Sequence, residues 1–311
     1  MKSKSTKAPV VDLTVEIAGI TFATPVWTAS GTAGTGEEVS QWCDTTKLGA
    51  MVTKSVSLEP RSGHPYPRTC ETAGGMLNAI GLQNKGVEAF IADELPRLRK
   101  MKSRVIVNIV GHSQEDFAGM AARLSREDGI DMLEVNLSCP NVERGIDNGS
   151  DPAWVEECVA KVRMATKTPL IIKVTPNTND IAALAKAAER AGADAISAIN
   201  TLVGMAVNYN SFKPRLSNVT GGLSGPAVKP VALACVHKIV KAVKIPVIGI
   251  GGISTGTDAA EFLIVGAHAV QIGTTNFKMP DAPLRVAAEL SNYLSSKGMA
   301  SPSELIGRLG R

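Results

Sequence analysis

The 311-residue sequence contains no C-x-x-C pair. Its five cysteines, Cys43, Cys70, Cys139, Cys158 and Cys235, are scattered and odd in number. That excludes a disulfide framework and a zinc or iron–sulfur site built from cysteine, and it points to a reduced, cytoplasmic protein. The four histidines, His64, His112, His237 and His268, form no ligand pair, so no metal site is expected. Charge of neither sign accumulates: the net charge is +4, spread along the chain. The densest basic patch (Arg97, Arg99, Lys100, Lys102, Arg104) falls at an expected helix end, where cations complement the helix dipole, and it does not point to nucleic acid. No apolar run approaches the ~18 residues of a membrane span. The basic segment Met1–Lys7 is not followed by an apolar one, so a soluble, unsecreted protein is expected, with residues 1–10 flexible. No G-x-G-x-x-G fingerprint occurs, so no nicotinamide dinucleotide site is visible. Aromatic residues make up only 4% of the chain, but 44% of it is hydrophobic, enough for a sizeable core.

What is present is a rhythm. After a hairpin (Leu13–Ile17 with Ile20–Phe22), short apolar runs alternate with helical patterns. The expected strands are Pro25–Thr28, Ala50–Lys54, Val105–Ile109, Met132–Asn136, Leu170–Val174, Ala195–Ile199, Val247–Ile250 and Ala269–Ile272. A helix follows each, with glycine at helix-to-strand junctions such as Ala191-Gly192-Ala193. Two long loops interrupt the rhythm, Ser55–Lys85 and Asn200–Gly225. Continuous apolar strands are those of a parallel sheet buried on both faces. Eight such units, with no shift in composition between them, favour a TIM (β/α)8 barrel over a doubly wound sheet, one domain spanning residues 1–311.

In a barrel, chemistry collects at the C-terminal ends of the strands. Those ends carry Ala29-Ser30-Gly31, Lys54-Ser55, Asn108, Asn136–Asn141, Lys173, Asn200-Thr201, Gly251-Gly252 and Gly273-Thr274. The chain is organised around Asn136-Leu137-Ser138-Cys139-Pro140-Asn141, which presents two amides, a hydroxyl and a thiol where a strand gives way to a loop. Cys139 fits either packing or acid–base and nucleophilic work. Gly251-Gly252 and Gly273-Thr274, after strands seven and eight, suit a phosphate, because glycine lets backbone N–H groups approach its oxygens. Gly221–Pro226 is expected to open the helix after strand six, as a flexible turn or as further phosphate-facing amides. Lys54 and Lys173, each ending an apolar strand, need an anion. Three readings stand: a reduced flavin, an aldolase-type Schiff base, or a structural ion pair. Asn78, Asn108, Asn136, Asn141 and Asn200 place five amides near one mouth, suited to a ring bearing carbonyls and N–H groups. Cys43, Cys158 and Cys235 fall in expected helices and read as packing residues.

Three motifs taken together, N-L-S-C-P-N at Asn136–Asn141, N-A-I-G-L-Q-N at Asn78–Asn84 and G-G-L-S-G-P-A-V-K-P at Gly221–Pro230, resemble the class 1 dihydroorotate dehydrogenases from about Leu13 to the last helix. That family holds FMN at the top of a β/α barrel and oxidises dihydroorotate to orotate in pyrimidine biosynthesis. The resemblance implies that Cys139 is the base at C5 while hydride passes from C6 to flavin N5. It implies a substrate pocket of Lys54, Asn78, Ile80, Gly81, Leu82, Asn136, Asn141, Asn200 and Thr201. It implies flavin contacts from Ala29, Ser30, Gly31, Lys54, Ser55, Asn108 and Asn136. It adds Lys173, Ile199, Gly225, Gly251, Gly252, Gly273 and Thr274, with Lys173 stabilising reduced flavin near N1 and O2.

Ser224–Pro230 and Pro67–Thr72 resemble class 1B more closely. In that class the FMN subunit, a homodimer, assembles into a heterotetramer with a subunit that carries FAD and a 2Fe–2S cluster and delivers electrons to NAD. Class 1A, a stand-alone dimer that reduces fumarate, and a flavin-dependent dihydropyrimidine dehydrogenase are the alternatives; a lysine aldolase and a non-catalytic binding subunit are the rivals outside the family. Thr32–Thr35, Glu143–Gly149 and Asn208–Lys213 depart from the family pattern, and the last two flank the expected mouth.

Overall fold

A computed structural model describes residues 10–34, 36–138 and 148–310. The expected flexibility of residues 1–10 therefore lies, except for Val10, outside the described residues. The chain opens with an antiparallel hairpin, β1 (Val15–Ile17) and β2 (Ile20–Phe22). Eight strands of the main sheet then follow in sequence: β3 (Val26–Thr28), β4 (Ala50–Val52), β7 (Arg104–Ile109), β8 (Met132–Asn136), β9 (Leu170–Lys173), β10 (Ala195–Ala198), β15 (Val247–Ile250) and β16 (Ala269–Ile272). Between them lie β5 (Thr69–Thr72), β6 (Gly75–Asn78), β11 (Leu202–Met205), β12 (Val207–Asn208), β13 (Lys213–Pro214) and β14 (Thr220–Ser224). The main sheet runs β3-β16-β15-β10-β9-β8-β7-β4, parallel at every ladder. At the seam between β3 and β4, Gly49 N–H donates to the Val26 carbonyl (3.3 Å) and Val52 N–H donates to Thr28 Oγ1 (2.9 Å). These bonds close the expected TIM barrel.

Helices return the chain from each strand, and their starts follow from local chemistry. Ser113 and Asp116 form a capping box for Gln114–Leu124, and Thr255 and Asp258 form one for Gly256–Ile264. Asp151 and Asp180 cap Pro152–Ala165 and Ile181–Arg190. Between β3 and β4 the chain forms only the short helix Glu37–Ser40 and the 3-10 turn Thr45–Lys47, so Cys43, expected in a helix, lies outside one. The helix over 87–98 contains a π-helical stretch, Phe90–Glu94.

The strands sort their side chains by alternation. One set, including Val107, Leu133, Val135, Ile172 and Val270, packs outward against the helices. The other set points into the barrel. At its N-terminal end Ile106, Met132, Ile171, Ala195, Ile248 and Ala269 form one apolar cluster with Ala50, Val52 and Trp27, plugged by Ile17 and Phe22 of the hairpin. The rings of Phe22 and Trp27 lie 4.5 Å apart.

The two long loops are not structureless. They contribute β5, β6, β11 and β14 to one antiparallel sheet ordered β11-β14-β6-β5, with Asn78 opposite Gly222 and Met76 opposite Ser224. Gly221–Ser224, expected to begin a helix, is instead the middle of this sheet, and the helical turn starts only at Pro226. Strands containing Gly75, Gly204, Gly221 and Gly222 carry little of the β-branched signal that marks a strand in sequence. Asn208–Lys213 forms the exposed tip between β12 and β13.

Candidate active site

Two residues beyond the apolar plug, the inward positions become polar. Asn108, Glu134, Lys173, Ser197 and Gln271 are all buried there. Glu134 lies at the centre, fully buried, and receives four donors. Its Oε1 accepts from Asn108 Nδ2 (2.7 Å) and Lys173 Nζ (3.4 Å), and its Oε2 accepts from Gln271 Nε2 (2.7 Å) and Ser197 Oγ (3.0 Å). Donors from β7, β9, β10 and β16 thus converge on one carboxylate of β8. The structural ion pair open to Lys173 from sequence is present, with Glu134 as its partner. The aldolase reading asks for a desolvated lysine without an anion beside it, and Lys173 has one.

Sequence reasoning missed Glu134, Ser197 and Gln271. The signal was available: each is a polar residue inside an otherwise apolar run, and Glu134 is in phase with Asn136.

One layer higher, Asn200 Nδ2 donates to Asn136 Oδ1 (3.0 Å), and Asn200 Oδ1 accepts from the Thr201 amide (2.8 Å). Thr201 packs against Gly222, whose carbonyl accepts from Asn78 Nδ2 (3.3 Å). Asn78, Thr201, Asn200 and Asn136, expected together at the mouth, are therefore linked in one chain of contacts. Ile80, Gly81 and Leu82 follow β6, with Gly81 and Leu82 at positive φ. Asn84, the last residue of that motif, is structural: its Oδ1 accepts from Ser57 and Gly86 amides (3.3 and 2.8 Å), and its Nδ2 donates to Ser57 Oγ (2.7 Å) and the Leu82 carbonyl (2.9 Å). Lys54, half-buried, continues the inward phase of Ala50 and Val52, and Ser55 beside it is buried. Burial raises the carboxyl of Glu94 above its ordinary range, and Lys85 and Lys54 oppose that rise. Cys139 and Asn141 lie outside the described residues, as do residues 143–147 of the divergent loop. Ser138 Oγ, just before Cys139, is buried without a partner among the described residues.

On the other side of the mouth, Ala29 N–H donates to the Ile272 carbonyl (2.7 Å), and Asn276 Nδ2 donates to Thr32 Oγ1 (3.0 Å) and to the same carbonyl (2.9 Å). This brings Ala29, Ser30 and Gly31 beside Gly273 and Thr274, and Thr274 Oγ1 donates to Ser224 Oγ (2.8 Å). Ile199, Gly225, Gly251 and Gly252 are adjacent: Gly251 approaches Ile199, and Gly225 precedes the turn that Gly252 packs on. Gly251 and Gly252 have φ of +127° and +74°. A Cβ on Gly252 would meet Lys229 at 2.7 Å, so only glycine fits. Lys229 is clamped by Asp258 (2.6 Å) and Glu261 (2.9 Å). Burial raises the Asp258 carboxyl, but hydrogen bonds from Lys229, Ser254 and Thr255 outweigh it and hold Asp258 below its ordinary range. Burial pushes the Cys158 thiol up to about 12, in keeping with a packing residue.

A flavin phosphate and ring suit these residues. The amides of Gly251, Gly252 and Gly273 meet no protein acceptor among the described residues. In the polar layer, Asn108 Oδ1 and Gln271 Oε1 are buried acceptors without a partner among the described residues. Unpaired buried acceptors are costly unless a ligand supplies the donor.

Known proteins resemble this chain over nearly its whole length. The family described as "Dihydroorotate dehydrogenase" matches residues 12–294. The "Dihydroorotate dehydrogenase B (NAD(+)), catalytic subunit" of Pelobacter propionicus is 52% identical over 299 residues, 96% of this chain and 98% of that protein. The protein of the same name in Geobacter sulfurreducens is 53% identical over the same shares. The crystal structure of DHODH in complex with ferulenol from Eimeria tenella superposes with a TM-score of 0.80 at 24% identity, covering 100% of this chain and 91% of that one, and it supports the fold. No helix among the described residues is long and apolar enough to cross a membrane. The chain belongs to the dihydroorotate dehydrogenase family.

Proposed function

We propose that this chain is the FMN-binding catalytic subunit of an NAD-linked, cytoplasmic dihydroorotate dehydrogenase, a single barrel domain over residues 1–311. It oxidises dihydroorotate to orotate in de novo pyrimidine biosynthesis. The observation that carries the reading is the polar layer across the barrel, which holds a lysine and two acceptors without a partner among the described residues, one layer below the linked Asn136–Asn200 pair.

Asn78, Asn136, Asn141, Asn200, Thr201 and Lys54, with the backbone of Ile80–Leu82, hold the dihydropyrimidine and its carboxylate. Cys139 takes the proton from C5. The bound FMN supplies the acceptor for the hydride that leaves C6 as the C5–C6 double bond forms. Ala29–Gly31, Ser55, Asn108, Ile199 and Gly225 frame the ring, Lys173 balances its charge on reduction, and Gly251, Gly252, Gly273 and Thr274 bind its phosphate. The chain has neither cluster cysteines nor a dinucleotide fingerprint. That absence fits a stand-alone dimer equally; in the reading proposed, FAD, a 2Fe–2S cluster and the NAD site belong to a partner subunit, in a heterotetramer built on a homodimer of this chain. The relatives are named as catalytic subunits linked to NAD(+), which supports that division.

The test is purification followed by turnover of dihydroorotate with fumarate, a quinone and NAD in turn, the last with and without a co-expressed flavin–iron–sulfur subunit. Yellow protein that needs the partner for NAD reduction is expected. Protein that stays colourless with added FMN would sink the reading, and fumarate turnover without any partner would reassign the acceptor.

A further inference from the structure

Glu134 has no role in the proposed reaction, yet four side chains donate to its buried carboxylate. We infer that Glu134 is a positioning residue that turns the Asn108 and Gln271 amides so that both present carbonyl oxygens to the N3–H of the flavin ring, while it sets the charge balance of Lys173. The inference rests on the flavin reading and deepens it.

A primary amide is two-sided, a donor at one end and an acceptor at the other, and nothing in Asn or Gln itself decides which end faces a ligand. A carboxylate decides it, because it only accepts. With Nδ2 of Asn108 on Glu134 Oε1 and Nε2 of Gln271 on Oε2, both at 2.7 Å, the oxygens must face elsewhere. Those two oxygens are the acceptors in this layer that are buried without a partner among the described residues. The group they await is therefore a donor. An oxidised isoalloxazine carries a single N–H, at N3. The same carboxylate holds Lys173 at 3.4 Å, so the pair brings no net charge to that layer. Ser197 Oγ occupies a further lone pair of Oε2 at 3.0 Å.

Replacement by glutamine removes both effects with little change of shape. The new side chain has a donor end of its own, which must meet one of the surrounding donors unless an amide turns over. Lys173 also loses its counter-charge, which favours the anionic reduced ring.

The test uses apoprotein reconstituted with FMN or with FMN methylated at N3. Wild-type protein is expected to bind the methylated cofactor at least tenfold more weakly. In Glu134→Gln that preference should shrink, and the midpoint potential of bound FMN should rise. Reduced flavin should bind at least tenfold tighter relative to oxidised flavin than in the wild type, about 30 mV for this two-electron couple. Glu134→Asp, which keeps the charge, should return the potential toward the wild-type value. Equal affinity of the wild-type protein for the two cofactors overturns the inference, and this arm decides even if Glu134→Gln does not fold. A Glu134→Gln potential and preference both equal to wild type overturn it too. Failure to bind FMN at all defeats the flavin reading instead.

Discussion

At the N-terminal end of the barrel the inward positions are Ile106, Met132, Ile171, Ala195, Ile248 and Ala269. Two residues further along the same strands they are Asn108, Glu134, Lys173, Ser197, Ile250 and Gln271. Both layers are buried, but they are stabilised differently. The lower layer gains from removal of apolar surface, about 1.5–3 kcal/mol for each large side chain fully buried. It needs no partner of particular direction. The upper layer gains little from burial and survives because each nitrogen meets an oxygen of Glu134, leaving acceptors for a ligand. Fold and site are thus separated by one step of strand alternation, about 7 Å of extended chain. Substitutions should separate the two layers in the same way.

The largest effect is expected at the proposed base. Cys139→Ala should lower dihydroorotate turnover by ~10²–10⁴-fold, the range for removal of a general base. The flavin spectrum and thermal midpoint should stay at wild-type values. Turnover within twofold of wild type would remove Cys139 from the mechanism.

The opposite pattern is expected at the plug. Phe22 is fully buried against Trp27. Phe22→Ala should cost about 3–5 kcal/mol of stability, the range for an aromatic ring deleted from a core. Turnover per flavin-loaded molecule should not change. Denaturant midpoints measured beside steady-state rates would show it. A variant that kept its stability but lost rate would mean that the two ends of the barrel are coupled.

The same contrast explains what could be read from the chain. The eight strands were legible because both of their faces are apolar, and Met132–Asn136 and Val247–Ile250 appear with the expected bounds. The polar strand ends were legible because Lys54, Asn108, Asn136 and Lys173 terminate apolar runs. Glu134 was hidden by the same strength of pattern: three apolar neighbours in Met132–Val135 made the run look uniform. The sheet formed by β5, β6, β11 and β14 was invisible for the reverse reason. Glycine interrupts three of its four strands, and the ladder that joins its two halves, β6 with β14, pairs residues more than a hundred positions apart, so local pattern carries no trace of the partner. Gly221–Ser224 was read as a helix entry because Pro226 does start a helical turn, two residues after the strand ends.

The smallest effect should appear with pH, and it again separates the two ends. The apolar plug contains no titrating group. The loop at Gly251-Gly252 packs on Lys229, which Asp258 clamps, and the Asp258 carboxyl is kept below its ordinary range by Lys229, Ser254 and Thr255 against the opposing effect of burial. A carboxylate with a lowered folded-state pKa stabilises the fold above the unfolded-state value, and that contribution is lost as pH falls through the folded-state value. Acidification from neutrality to below the ordinary carboxylate range should therefore lower the thermal midpoint of the wild type. Asp258→Asn should begin lower at neutral pH and fall less steeply, because the asparagine has no proton to take up. Other carboxylates titrate in both proteins, so the difference between the two curves isolates Asp258. If the curves run parallel across that window, the Lys229–Asp258 clamp contributes nothing that depends on its charge, and the Gly251-Gly252 loop is held by packing, as the plug is.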